Sequence, residues 1–198
     1  MQRWIVVLGL TAIVAIGGIL AFYIARPAQE MPAVSSSVTV GGPFTLTNQD
    51  GKTVTEADYR GRYMLVFFGY TYCPDICPTT LQTVSNAMDM LGTDADRVQP
   101  LFVSVDPARD TAEVLKAYVG HFHPRMVGLT GTPEQIESVA KEYKVYFQKV
   151  QEEGAADDEY LMNHSSIIYL MGPEGEFVAH FTHETTADEI AAEIRKYL

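Results

Sequence analysis

Two cysteines, Cys73 and Cys77, are the whole thiol complement of the 198-residue chain, and both stand in one turn, "FGYTYCPDICPTT". Their C-x-x-x-C spacing is one residue longer than that of the C-x-x-C redox motif. Position argues against two inert buried thiols. Cys73 follows a predicted strand end, and Cys77 precedes a predicted helix whose free N–H groups favour thiolate. Disulfide and shared metal remain. Side chains four apart on a helical turn have Cβ atoms about 5–6 Å apart. A disulfide wants about 3.8 Å between Cβ atoms, whereas two thiolates bonded to one metal at about 2.3 Å sit near 4 Å apart. The extra residue favours the metal, while a flexible turn in an oxidising compartment keeps the disulfide accessible.

Two thiolates are too few for a closed structural zinc site. Two thiolates and one imidazole in an open arrangement suit copper best. Of the five histidines, His121 and His123 ("GHFHPRM") fall where a helix ends and read as surface caps. His180 and His183 fall at the far end of a hairpin. His164, in "EYLMNHSSIIYLM", precedes the strand expected beside the cysteine-bearing strand, which makes it the candidate third ligand. Met162 is a soft donor nearby, but methionine is more often packing.

The elements that must position these residues alternate in type. "RYMLVFFGY" reads as a buried strand running into the cysteine turn, and "PTTLQTVSNAMDML" as the following helix with Pro78 as its first residue. "LFVSVD" (101–106) is a second buried strand, and "DTAEVLKAYV" opens a helix with Asp110 at the N-cap and Glu113 closing a capping box. In "GLTGTPEQIESVAKEY" Thr132 caps, Pro133 is the first helical residue and Gln135 reaches back. "VYFQKV" (145–150) is a strand, the acidic "QEEGAADDE" a solvated loop without EF-hand spacing. "SSIIYLMGPEGEFVAHF" is a hairpin turning at "GPEG", and "TADEIAAEIRKYL" a closing amphipathic helix. This order predicts an α/β fold of the thioredoxin-like kind, a central sheet with flanking helices. Thioredoxins set a cis-proline against their disulfide; here histidine and serine stand at that place.

Composition adds a membrane and subtracts nucleic acid. Residues 4–24, "WIVVLGLTAIVAIGGILAFYI", carry no charge and match the roughly 20 apolar residues that span a bilayer as a helix. The run is too long for an ordinary signal-peptide core and no A-x-A site follows, which favours an uncleaved transmembrane anchor over 1–25. A Pro/Ser/Ala tether occupies 26–37 and the folded domain 38–198. Arg3 and the terminal amine before the span, against Arg26 partly offset by Glu30 after it, predict a domain facing the periplasm, and the lack of an Arg/Ser-rich stretch before Trp4 predicts a bacterial rather than an organellar membrane. The chain has 14 basic and 25 acidic residues, a net charge of −11, which repels nucleic acid.

With these residues assembled, the sequence resembles the Sco/SenC family of copper proteins that help assemble cytochrome c oxidase. "FFGYTYCPDICP", "VSVDPARDT" and "NHSSIIYLMGPEGEF" carry the resemblance across about 38–198. It implies that Cys73, Cys77 and His164 bind Cu(I) or Cu(II), that the apo cysteines can form a disulfide, and that the partner is the CuA site of oxidase subunit II. Other copper chaperones or thioredoxin-like reductants would supply copper or electrons. Asp106, Arg109 and Asp110 also match; turn and cap formation explain them. Asn163 stands where the family usually has aspartate, with consequences for copper affinity or redox preference. The leading reading is a metallochaperone, not itself an enzyme. The runner-up is a thiol–disulfide oxidoreductase that keeps the CuA cysteines reduced. A thiol peroxidase would need P-x-x-x-T-x-x-C, which the turn lacks.

Overall fold

The computed structural model describes residues 39–156 and 158–198. The predicted anchor (1–25) and tether (26–37) lie outside the described residues, among which no helix is long and apolar enough to cross a membrane. The strands among the described residues are β1 (Thr45–Asn48), β2 (Thr53–Thr55), β3 (Tyr63–Gly69), β4 (Val98–Ser104), β5 (Val127–Thr130), β6 (Phe147–Val150), β7 (Leu161–His164), β8 (Ile167–Met171) and β9 (Phe177–Thr182). The α-helices among the described residues are α1 (Ile76–Leu91), α2 (Ala112–Val119), α3 (Pro133–Tyr143) and α4 (Ala187–Arg195). Seven strands form one sheet in the order β2-β1-β5-β4-β3-β8-β9, and β6-β7 form a separate ribbon.

The central strand β3 is apolar throughout because both of its faces are covered. It pairs in parallel with β4 across the α1 crossover, and antiparallel with β8. Phe67 packs on Phe102, whose ring meets Tyr118 of α2, so α2 lies on that face. Phe68 points the other way, onto Tyr143 of α3 and Tyr169 of β8. Helices therefore cover both faces, the α/β layering expected of the alternating elements. α4 packs along α1.

Several local expectations stand: Thr132 and Gln135 form the capping box of α3 with Pro133 as its first residue, and β8–β9 is the hairpin around "GPEG". Others are corrected. α1 starts at Ile76, so Pro78 is its third residue; no helical N–H partner is yet needed there, so the ring costs nothing. β4 ends at Ser104 but starts at Val98, where β3 supplies partners from Tyr63 onward. Thr111, not Asp110, caps α2 by accepting from Val114 N. Asp110 is fully buried and its carboxylate serves other elements.

Candidate metal centre

Cys73 sits in the turn after β3, its N–H donating to the Tyr70 carbonyl at 3.3 Å. Cys77 is the second residue of α1 and fully buried. The N-cap residue of that helix, Asp75, makes no side-chain capping bond; the Cys73 sulfur takes the role instead, accepting from Cys77 N at 3.4 Å. A helix N-terminus is where a negative sulfur is best held. The hydrogen bond from the Cys77 side chain, helped by the backbone N–H groups of residues 75 and 77, outweighs burial and pulls Cys73 far below the usual thiol range. The same bond and burial push the Cys77 thiol up. The pair thus holds one proton and one negative charge.

Room for the Cys77 sulfur is made by Gly69. A Cβ there would lie 2.6 Å from Sγ and 2.8 Å from the Phe102 ring. The turn itself is braced by Asp110, which accepts from Thr71 N at 3.0 Å, Thr71 Oγ1 at 2.5 Å and Ser104 Oγ at 2.5 Å. Burial raises the pKa of this carboxyl and its three donors oppose the rise. That brace joins the turn before Cys73 to the end of β4. By residue type Asp110 fits a helix cap as well as a buried brace, and its burial has no local signal in the sequence.

His164 ends β7, paired with Phe147 of β6, and precedes β8, the strand beside β3, as its place in the sequence predicts. Its ring lies edge-on to Phe67 and Tyr70 at centroid distances of 6.1 and 5.8 Å. Nδ1 is 3.1 Å from the Ser165 carbonyl, which can only accept, so Nδ1 carries the proton and Nε2 presents its lone pair. That lone pair faces Cys77 Sγ at 3.4 Å. The donor atoms of Cys73, Cys77 and His164 all lie within 4.8 Å of one another, the one such metal-ligand cluster among the described residues. Neither cysteine is in a disulfide.

The other histidines stay apart. His123 is largely buried rather than a surface cap, accepting from Arg125 N at 3.2 Å, with Asp89 3.8 Å away. His180 lies against Phe177 on β9. Met162 packs in the core. Asn163 is exposed and, as the strand neighbour of His164, projects to the opposite side of the ribbon.

The SCO1/SenC family model matches residues 32–198. The chain is 44% identical over 174 residues to the mitochondrial Protein SCO1 homolog 1 of Arabidopsis thaliana, covering 85% of this chain and 51% of that protein. It is 41% identical over 161 residues to the mitochondrial SCO1 homolog of Homo sapiens, covering 80% and 53% respectively. The chain thus spans about half the length of these relatives. Among solved structures, ScoI of Bradyrhizobium japonicum with copper bound superposes with a TM-score of 0.74 at 45% identity, over 80% of this chain and 99% of that one.

Proposed function

The chain belongs to the SCO1/SenC family, and on that premise we propose that it is a membrane-anchored copper metallochaperone. Cys73, Cys77 and His164 hold Cu(I) or Cu(II), and the cargo goes to the CuA site of cytochrome c oxidase subunit II. The observation that carries the reading is the convergence of two sulfurs and one imidazole nitrogen within 4.8 Å. Soft thiolates select Cu(I), and the added imidazole suits Cu(II).

The proton inventory supports ready loading. One thiolate is already formed at Cys73, and the one proton of the pair stays on Cys77, whose sulfur also lies 3.4 Å from His164 Nε2. Cu(I) replaces that proton, so two thiolates and one cation carry the same net charge as the apo pair. Cys73 is only partly buried, so an incoming thiolate of a partner can bond the ion from that side before Cys77 lets go. The apolar run at 4–24 would tether the domain to a bacterial inner membrane with its site in the periplasm. Copper donors and thioredoxin-like reductants would act there as partners.

The partly exposed Cys73 thiolate favours one second reading, a thiol–disulfide oxidoreductase acting on the CuA cysteines, since a low-pKa accessible sulfur is the usual attacking group. Anaerobic copper titration of the reduced chain in detergent separates the two. One Cu(I) bound per chain, with a Cu(II)–thiolate absorption lost in His164→Ala, supports the chaperone. Fast disulfide turnover on a CuA-domain substrate, with no stoichiometric copper binding, would replace it by the reductase.

A further inference from the structure

Two of the three donors and the third belong to different bodies: the cysteines to the turn between β3 and α1, His164 to the β6–β7 ribbon. Something must hold these bodies in register, because a metal bonded at about 2.0–2.3 Å tolerates little error in donor position. The residue best placed to do so is Arg109, in the turn between β4 and α2.

Its guanidinium lies 3.5 Å from the Tyr160 ring centroid, 4.6 Å from that of Tyr72 and 5.9 Å from that of Tyr70. Tyr70 and Tyr72 belong to the cysteine turn; Tyr160 immediately precedes β7. Nη1 donates to the carbonyls of Asp158 at 3.2 Å and Tyr160 at 3.0 Å. Nε donates to Asp106 at 2.5 Å, and the second oxygen of Asp106 accepts from the Tyr160 hydroxyl at 2.8 Å. One planar cation therefore grips the start of β7 by two carbonyls and a ring, while the cysteine turn lies against it through two further rings. The side chain is 12% exposed, so these contacts are weakly screened. None of its atoms belongs to the donor cluster.

We propose that Arg109 is a positioning residue of the copper site, setting the distance from His164 Nε2 to the two sulfurs by clamping the ribbon to the cysteine turn. This rests on the ligand set proposed above. The cysteines are held by their own turn and by Asp110, so loss of Arg109 leaves the two-sulfur part intact and loosens only the imidazole. Lysine cannot replace it. A point ammonium keeps the charge facing Asp106 but lacks the flat fork that serves Asp106 and two carbonyls while stacking on tyrosine.

The test compares wild type, R109Q, R109K and H164A as full-length reduced protein in detergent, with thermal stability recorded for each. Cu(I) affinity is read by competition with a chromophoric chelator; Cu(II) binding is read by its thiolate absorption and electron paramagnetic resonance. Both Arg109 variants are expected to lose about 10- to 100-fold in Cu(II) affinity, the range for residues that orient a metal ligand. Their Cu(II) spectrum should move towards that of H164A while Cu(I) affinity stays within about threefold, far less than that range. Equal losses for both ions would mean general destabilisation and overturn the proposal, as would a wild-type Cu(II) spectrum in R109Q or R109K. If H164A itself keeps the wild-type spectrum, the ligand set is wrong and the proposal falls with it. Should R109Q fail to fold, Tyr160→Leu decides the matter, since it removes the ring that Arg109 rests on and is expected to shift the Cu(II) spectrum in the same direction; an unchanged spectrum there overturns the clamp.

Discussion

Replacing Gly69 with alanine tests whether the close approach of β3 to the metal centre is needed. The new Cβ would stand 2.6 Å from Cys77 Sγ, 2.8 Å from Phe102 and 3.2 Å from Phe67. Ordinary contact begins at 3.4 Å, so the sulfur and the Phe102 ring must each retreat by roughly 0.6–0.8 Å, and both are fully buried. Overpacking of this kind costs about 1–3 kcal/mol, and for a domain of this size each kcal/mol lowers Tm by roughly 2–4 °C. The apo protein should therefore melt about 2–12 °C lower. Cu(I) affinity should fall too, because a displaced Sγ must be pulled back to bond the ion. Adding Cys77→Ala removes the sulfur half of the clash and leaves the Phe102 half. A double-mutant cycle on apo stability should then show a coupling of about 0.5–3 kcal/mol, the range for residues in contact. Thermal unfolding by circular dichroism and competitive Cu(I) titration measure both quantities. A G69A protein with wild-type Tm and Cu(I) affinity, or a cycle without coupling, refutes the packing argument.

Asp110→Asn removes a fully buried charge-assisted acceptor of three hydrogen bonds and should destabilise the protein by about 1.5–3 kcal/mol near neutral pH, measured by urea unfolding. Burial raises the folded pKa of Asp110 above its ordinary 3.8. The folded state therefore holds this proton to higher pH than the unfolded state, and the group's contribution to stability declines as pH rises from 3.8 through the raised value. The difference in stability between wild type and D110N, followed across that window, should carry this slope; a flat difference would show that Asp110 titrates alike in both states. Under air the apo protein should form a Cys73–Cys77 disulfide that binds no Cu(I), since thiolates are the ligands; stoichiometric Cu(I) on the oxidised protein, confirmed by mass spectrometry, would count against the site. Carbonate washing should leave the protein in the membrane fraction if residues 4–24 span it, and recovery of a chain shortened at the N-terminus in the soluble fraction would show cleavage instead.

What could be read in the sequence was whatever has a local cause. The apolar run of β3, the Thr132–Pro133–Gln135 start of α3 and the "GPEG" turn each determine structure within a few residues, and the structure contains all three. The candidate donors were legible because cysteine and histidine are scarce and their types restrict the chemistry. Elements defined by distant partners were not. β5, "VGLT", and β7, "LMNH", are four residues each, too short for a period, and exist as strands because β4 and β6 pair with them. The work of Asp110 depends on Thr71, 39 residues earlier, and that of Arg109 on Tyr160, 51 residues later. Only folding brings those partners to the same place.

The division of the donors between two sheets makes the centre a clasp with two jaws. One jaw, holding both sulfurs, is rooted in the seven-stranded sheet and α1; the other, carrying the imidazole, is the small β6–β7 ribbon. With the proposed ligand set, Cu(II) is retained only while both jaws are shut, because it needs the nitrogen donor. Cu(I), which soft sulfur ligands suit, would keep its two sulfurs without the imidazole. Reduction of the ion by a thioredoxin-like reductant would then leave the imidazole jaw unneeded while the sulfur jaw keeps the cargo, with the partly buried Cys73 as the side open to a partner's sulfur.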